Sequence, residues 1–81
     1  MTGELLRRLR EAAGIKQTDL ARAANMANST LSTYESGRNG MTNFMAARLV
    51  GLIDALLSDR TEEFSALRAE ADAQMDADEA V

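Results

Sequence analysis

Not one proline interrupts this chain, although an average usage of roughly 5% would place about four in it. Proline breaks helix interiors and central strands alike. The other punctuator is sparse too, with five glycines in 81 residues. Such a chain reads as helices joined by short turns capped by glycine or asparagine. Its length bounds it to one small domain. Hydrophobic residues make up 46% of it and aromatic residues only 4%, so the core has to be aliphatic.

The absences narrow function as well. Without cysteine there are no disulfide staples, thiolate metal sites or thiol nucleophiles. Without histidine there are no imidazole ligands, and the commonest general base is missing. Carboxylates remain, but no cluster of them sits where so short a chain can enclose a pocket. We therefore expect neither an enzyme nor a bound metal or cofactor. No apolar run approaches the roughly 18 residues that span a bilayer. Met1-Thr2-Gly3-Glu4 does not lead a basic region into an apolar one. The expectation is a cytoplasmic protein without membrane association.

The periodicity predicts an all-α, compact five-helix domain. A first helix over 3–13 has Thr2 as its N-cap and Leu5, Leu6, Leu9, Ala12 and Ala13 as its inner face, and Gly14 ends it in the left-handed region. A second helix over 17–24 turns Leu20, Ala21 and Ala24 inward and Arg22 outward. Asn25, which tolerates the left-handed conformation, breaks it, and Met26 plugs the core from the turn. A third helix over 28–35 turns Leu31 and Tyr34 inward, leaves Asn28, Ser29, Ser32 and Thr33 outward, and is closed by Gly37. A fourth runs over 43–57, where Leu49, Val50, Leu52, Ile53, Leu56 and Leu57 wrap past a single stripe. Ser58-Asp59-Arg60 reads as a break, with Asp59 and Glu62 resembling a capping box. The fifth helix then carries Phe64, Leu67, Ala71 and Met75 on a thin apolar stripe, and the end of the chain over 77–81 is expected to fray.

Charge divides the chain. Residues 1–48 hold seven basic and four acidic side chains, while residues 49–81 hold two basic and nine acidic ones. The net charge of −4 thus hides a mildly basic front and a strongly acidic back. Such asymmetry points to partners. The second and third helices, short and joined across Asn25-Met26-Ala27, follow the helix-turn-helix plan, in which the second helix of the pair lies in the DNA major groove. The outward residues of the third helix are small, uncharged and hydrogen-bonding, a face that can offer donors and acceptors to base edges.

Over residues 5–57 the chain resembles the Cro/C1-type (XRE-like) helix-turn-helix domains of bacterial and phage transcriptional regulators. The resemblance rests on Leu9-Arg10, on Ile15-Lys16-Gln17-Thr18-Asp19-Leu20-Ala21, and on Ser29-Thr30-Leu31-Ser32-Thr33-Tyr34-Glu35-Ser36-Gly37-Arg38. It implies a lambda-repressor-like fold and a set of contacts to double-stranded DNA. Asn28, Ser29, Ser32 and Thr33 would meet base edges. Lys16, Gln17, Arg38, Asn39, Thr42 and Asn43 would meet phosphates, with Phe44 near them. Arg10 and Glu35 would form an ion pair anchoring the third helix. Two departures stand out: Asn25 occupies the usual place of a turn glycine, and the loop Arg38-Asn39-Gly40-Met41 lacks the common proline and is short of lysine.

The reading is thus a helix-turn-helix unit over 1–57 and an acidic helix over 58–81, packed on the same domain or at a dimer interface. A homodimer on a palindromic operator is expected, through Leu49, Leu52, Ile53, Leu56, Phe64, Leu67 and Met75. The chain would act as a repressor by occupancy. The alternative is an antitoxin-like or adaptor module whose acidic helix binds a basic protein partner.

Overall fold

A computed structural model describes the backbone of residues 1–79 and the side chains of residues 1–75. The described residues form four helices: α1 (Gly3–Ala12), α2 (Gln17–Ala23), α3 (Asn28–Glu35) and α4 (Asn43–Glu79). The all-helical expectation holds, but the count of five does not. The expected break at Ser58-Asp59-Arg60 is absent, and α4 runs through it for 37 residues, about 55 Å at the rise of an α-helix. No glycine or proline stands at those positions to end the helix. The Thr61 hydroxyl instead donates to the Leu57 carbonyl one turn back, at 2.9 Å. A capping box is a pattern that a continuing helix can also contain, because Asp and Glu are tolerated in exposed helix interiors. Residues 77–79, where fraying was expected, continue α4, while Ala80 and Val81 lie outside the described residues.

The three turns of the N-terminal part share one construction. After α1, α2 and α3 a single residue takes positive φ: Gly14 (70°), Asn25 (55°) and Gly37 (81°). At each, two backbone N–H groups reach back to carbonyls of the last turn. After α1 the pairs are Gly14 N to Glu11 O (3.0 Å) and Ile15 N to Arg10 O (3.1 Å). After α2 they are Asn25 N to Arg22 O (3.0 Å) and Met26 N to Ala21 O (2.9 Å), and after α3 Gly37 N to Tyr34 O (3.2 Å) and Arg38 N to Thr33 O (3.0 Å). This is the Schellman cap, which satisfies orphan carbonyls and turns the chain sharply. At the other ends Thr2 accepts from Leu5 N (3.1 Å) and Thr42 from Met45 N (3.0 Å), capping α1 and α4.

The core is aliphatic: Leu6, Ile15, Leu20, Leu31, Leu49 and Ile53, with Ala21 and Ala24 between the helices and Met26 half-buried against them. The inner face of α1 differs from expectation. Gly3, Leu6 and Arg10 are buried, whereas Leu5, Leu9 and Ala12 are exposed. A buried charge and a buried glycine occupy positions that an apolar pattern assigns to leucine. Gly3 is there because α1 meets the end of α3 backbone to backbone: a Cβ at this position would overlap the Tyr34 carbonyl oxygen and lie 2.9 Å from that of Glu35.

Leu49 and Ile53 are buried in the chain's own core, so the expectation that they line a dimer interface is corrected. Leu52 and Leu56 are half-buried against the same core. Arg60 marks the edge of the domain, donating to the Gly14 carbonyl and facing Asp19 at 3.7 Å. Every described side chain from Thr61 to Met75 is exposed.

Candidate nucleic-acid interface

α2 and α3 are set against each other by Ala21, Ala24 and Leu31, all buried. What orients α3 relative to α1 is a polar cluster. The Arg10 guanidinium grips the Glu35 carboxylate with two parallel hydrogen bonds, Nε to Oε2 at 2.8 Å and Nη2 to Oε1 at 2.9 Å. Its third arm, Nη1, donates to the Ile15 carbonyl at 2.9 Å. Gln17 Nε2 donates to the same Glu35 Oε1 at 3.1 Å. The Arg10–Glu35 pair thus ties the end of α3 to α1, to the α1–α2 turn through Arg10 and to the first residue of α2 through Glu35. Such fork-to-fork pairing fixes orientation as well as contributing energy. The hydrogen bond to Glu35 holds the Arg10 pKa above its ordinary value, with the charges of Glu35 and Glu11 adding to it and burial opposing it. A raised arginine pKa makes its contribution at every pH below the ordinary value, so this anchor persists through neutral and mildly alkaline conditions.

On its other face α3 presents Asn28, Ser29 and Ser32, all exposed. Neither the first residue of α3 nor that of α2 is covered by a side-chain cap, since Ala27 and Lys16 stand at the two N-cap positions. Thr33, expected on this face, is half-buried and already engaged: its hydroxyl donates to the Thr30 carbonyl at 2.7 Å and accepts from Asn39 Nδ2 at 3.2 Å. It holds the 38–39 loop onto α3. Thr42 is likewise engaged as the cap of α4, while Asn43 and Phe44 beside it are exposed.

Gln17 keeps a second amide hydrogen after bonding Glu35, because an amide carries two donors. Three residues outside the expected set join the same surface. Thr18 and Arg22 border an open polar groove of about 470 Å³ together with Asn25 and Asn28. Ser36 continues the Ser29 and Ser32 row at helical spacing and is exposed. The signal for Ser36 was in the sequence, where the same interval runs one step past the helix end.

Among the described residues Arg7, Arg10, Arg60 and Arg68 each have an acidic partner within 4.0 Å. Of the exposed cations without one, Lys16, Arg22 and Arg38 flank α2 and α3, while Arg8 lies on α1 and Arg48 on α4. A small uncharged helix face bordered by free cations can take up a nucleic-acid duplex, with the cations on phosphates and the short side chains on base edges. Among the described residues no group of histidine, cysteine or carboxylates is arranged to hold a metal, and no helix is long and apolar enough to cross a membrane.

Two short helices joined by a tight left-handed turn, with the second helix held by its end and open on its outer face, define a helix-turn-helix protein. A family model described as a helix-turn-helix domain matches residues 3–64, and the chain belongs to that family. Membership agrees with the resemblance to Cro/C1-type domains and makes the protein a DNA-binding one. No curated protein matches the chain, and no solved structure does.

Proposed function

We propose that this protein is a sequence-specific transcriptional regulator, a dimeric repressor that acts by occupying a palindromic operator. The observation that carries this is the outer face of α3, where Asn28, Ser29 and Ser32 stand exposed and uncharged between the free cations Lys16, Arg22 and Arg38. In this reading those three polar residues contact base edges and Thr33 positions Asn39. Lys16, Gln17, Arg38, Asn39 and Asn43 contact phosphates, with Thr42 beside them. Residues 1–57 read the DNA and the segment beyond them pairs the two copies. One helix-turn-helix unit spans few base pairs, so two copies on half-sites about one DNA turn (~34 Å) apart supply affinity.

Selection from random duplex DNA, followed by gel shift on the enriched site, tests the proposal. A palindromic site should emerge. Ser29→Ala should relax specificity at one position of each half-site, at a cost of about 1–3 kcal/mol. Arg38→Ala should weaken binding to all sequences equally. It should also flatten the salt slope by about one for each phosphate that is no longer neutralised. Absence of enrichment at low salt overturns the proposal.

The exposed acidic run on the distal part of α4, with Glu62, Glu63, Glu70 and Asp72, favours a second reading as an antitoxin-like or adaptor module that binds a basic protein. Neutralising Glu70, Asp72, Asp76, Asp78 and Glu79 separates the two. DNA affinity stays or rises under the first, and partner binding is lost under the second.

A further inference from the structure

The apolar face by which α4 packs on the domain continues where the domain ends. Beyond Arg60 it carries Phe64, Leu67 and Met75, which are 66%, 57% and 56% exposed. Val50, Leu57, Phe64 and Ala71 recur at seven-residue intervals, the repeat that keeps one seam of a helix facing a partner helix. A second exposed apolar surface lies on the domain itself. It is a groove of about 470 Å³ between α1 and the first half of α4, walled by Leu9, Ala12, Val50 and Leu57, with Gly51 on its border. Gly51 is exposed in a helix interior, and a Cβ there would meet nothing within 4 Å. Nothing in the chain itself requires glycine at this position, and its bare backbone admits a close neighbour.

We propose that these two surfaces cover each other between two copies of the chain: the distal part of α4 from one protomer lies antiparallel in the α1–α4 groove of its partner, and the reverse. This rests on the dimeric reading above and specifies its interface. Three observations select the arrangement. A two-fold dimer uses the same patch on both copies. Antiparallel pairing covers both grooves and both seams, whereas parallel pairing of the seams leaves both grooves open. Charge points the same way. Residues 61–79 hold seven acidic side chains and one basic. Parallel pairing would set two such runs side by side. Antiparallel pairing carries the two runs to opposite ends of the pair; the charged residue lining each groove is Asp54, so charge selects the direction of pairing and the apolar walls supply the contact.

The third observation is register. With Phe64 opposite Leu57 of the partner subunit, Ala71 falls opposite the partner's Val50, and the two-fold axis passes between Arg60 and Thr61. The two copies of Val50 then lie 21 helix positions apart, about 32 Å along the axis. The seven-residue repeat is thus self-complementary about that axis, as a two-fold pair requires.

Disulfide trapping tests the pairing, since the chain has no cysteine of its own. A Leu57→Cys chain is mixed with a size-tagged Phe64→Cys chain and oxidised mildly. Both positions are exposed, so both variants keep the fold. We expect efficient cross-linking in the mixture and little within Phe64→Cys alone, whose two thiols would be offset by about 10 Å, outside disulfide reach. Efficient self-linking of Phe64→Cys means a parallel pair and overturns the proposal. A dimer by sedimentation that forms neither link also overturns it, and leaves the dimeric reading standing. A monomer at tens of micromolar overturns both. Gel shift on the same samples reports DNA binding separately.

Discussion

The two parts of α4 differ in what they do for the fold. From Asn43 to Arg60 the helix supplies Leu49 and Ile53 to the core and is clasped at its edge by the α1–α2 turn. From Thr61 to Met75 the same helix leaves every side chain exposed. One element thus contains a stretch whose stability comes from tertiary packing and a stretch that relies on helix propensity and local pairs such as Arg68–Asp72 at 3.3 Å. Helix continuity and domain extent are therefore separate properties: the first needs only the absence of a breaker, the second needs a surface to pack on.

That comparison can be broken most forcefully inside the domain. Removing one partner of the buried pair, by Arg10→Ala or Glu35→Ala, should cost about 3–5 kcal/mol in urea unfolding, because a lone charge remains inside. Leu31→Ala should cost about 2–5 kcal/mol through the cavity it leaves. Gly3→Ala comes next. The new methyl group meets backbone that cannot rotate away, so α1 must shift from α3, at about 1–3 kcal/mol. Asn25→Ala should lose about 1–2 kcal/mol, because alanine occupies the left-handed region less readily than asparagine. Distal to Arg60 the effects should nearly vanish. Leu67→Ala should change stability by less than about 0.5 kcal/mol when measured at low protein concentration. If it costs as much as Leu31→Ala there, the contrast between the two parts of α4 is wrong.

Much of this architecture was legible in the residues. The three left-handed caps at Gly14, Asn25 and Gly37 were readable because only glycine and asparagine occupy such backbone freely. The inward faces of α2 and α3 were readable because their apolar residues match what the fold buries. The face of α1 was not, because burial there goes to Gly3 and Arg10, whose reasons lie 25 and more residues away in Tyr34 and Glu35. The continuity of α4 was missed because Ser, Asp and Thr at 58–61 carry start signals that bind only when the preceding chain stops. On the outer face of α3, Asn28, Ser29 and Ser32 stand exposed as the helical period requires. Thr33 turns partly inward because Asn39, from a loop that no periodicity describes, takes its hydroxyl.

The anchoring of α3 has a consequence for how such a protein can change. Everything that holds this helix in place is on its inner side or at its ends: Leu31 in the core, Glu35 beneath Arg10, and Arg38 N and Asn39 on Thr33. Asn28, Ser29 and Ser32 support nothing. Their identities can be exchanged without a penalty in folding, so under the proposed function the DNA sequence a copy of this scaffold prefers is free to drift while the scaffold itself stays the same.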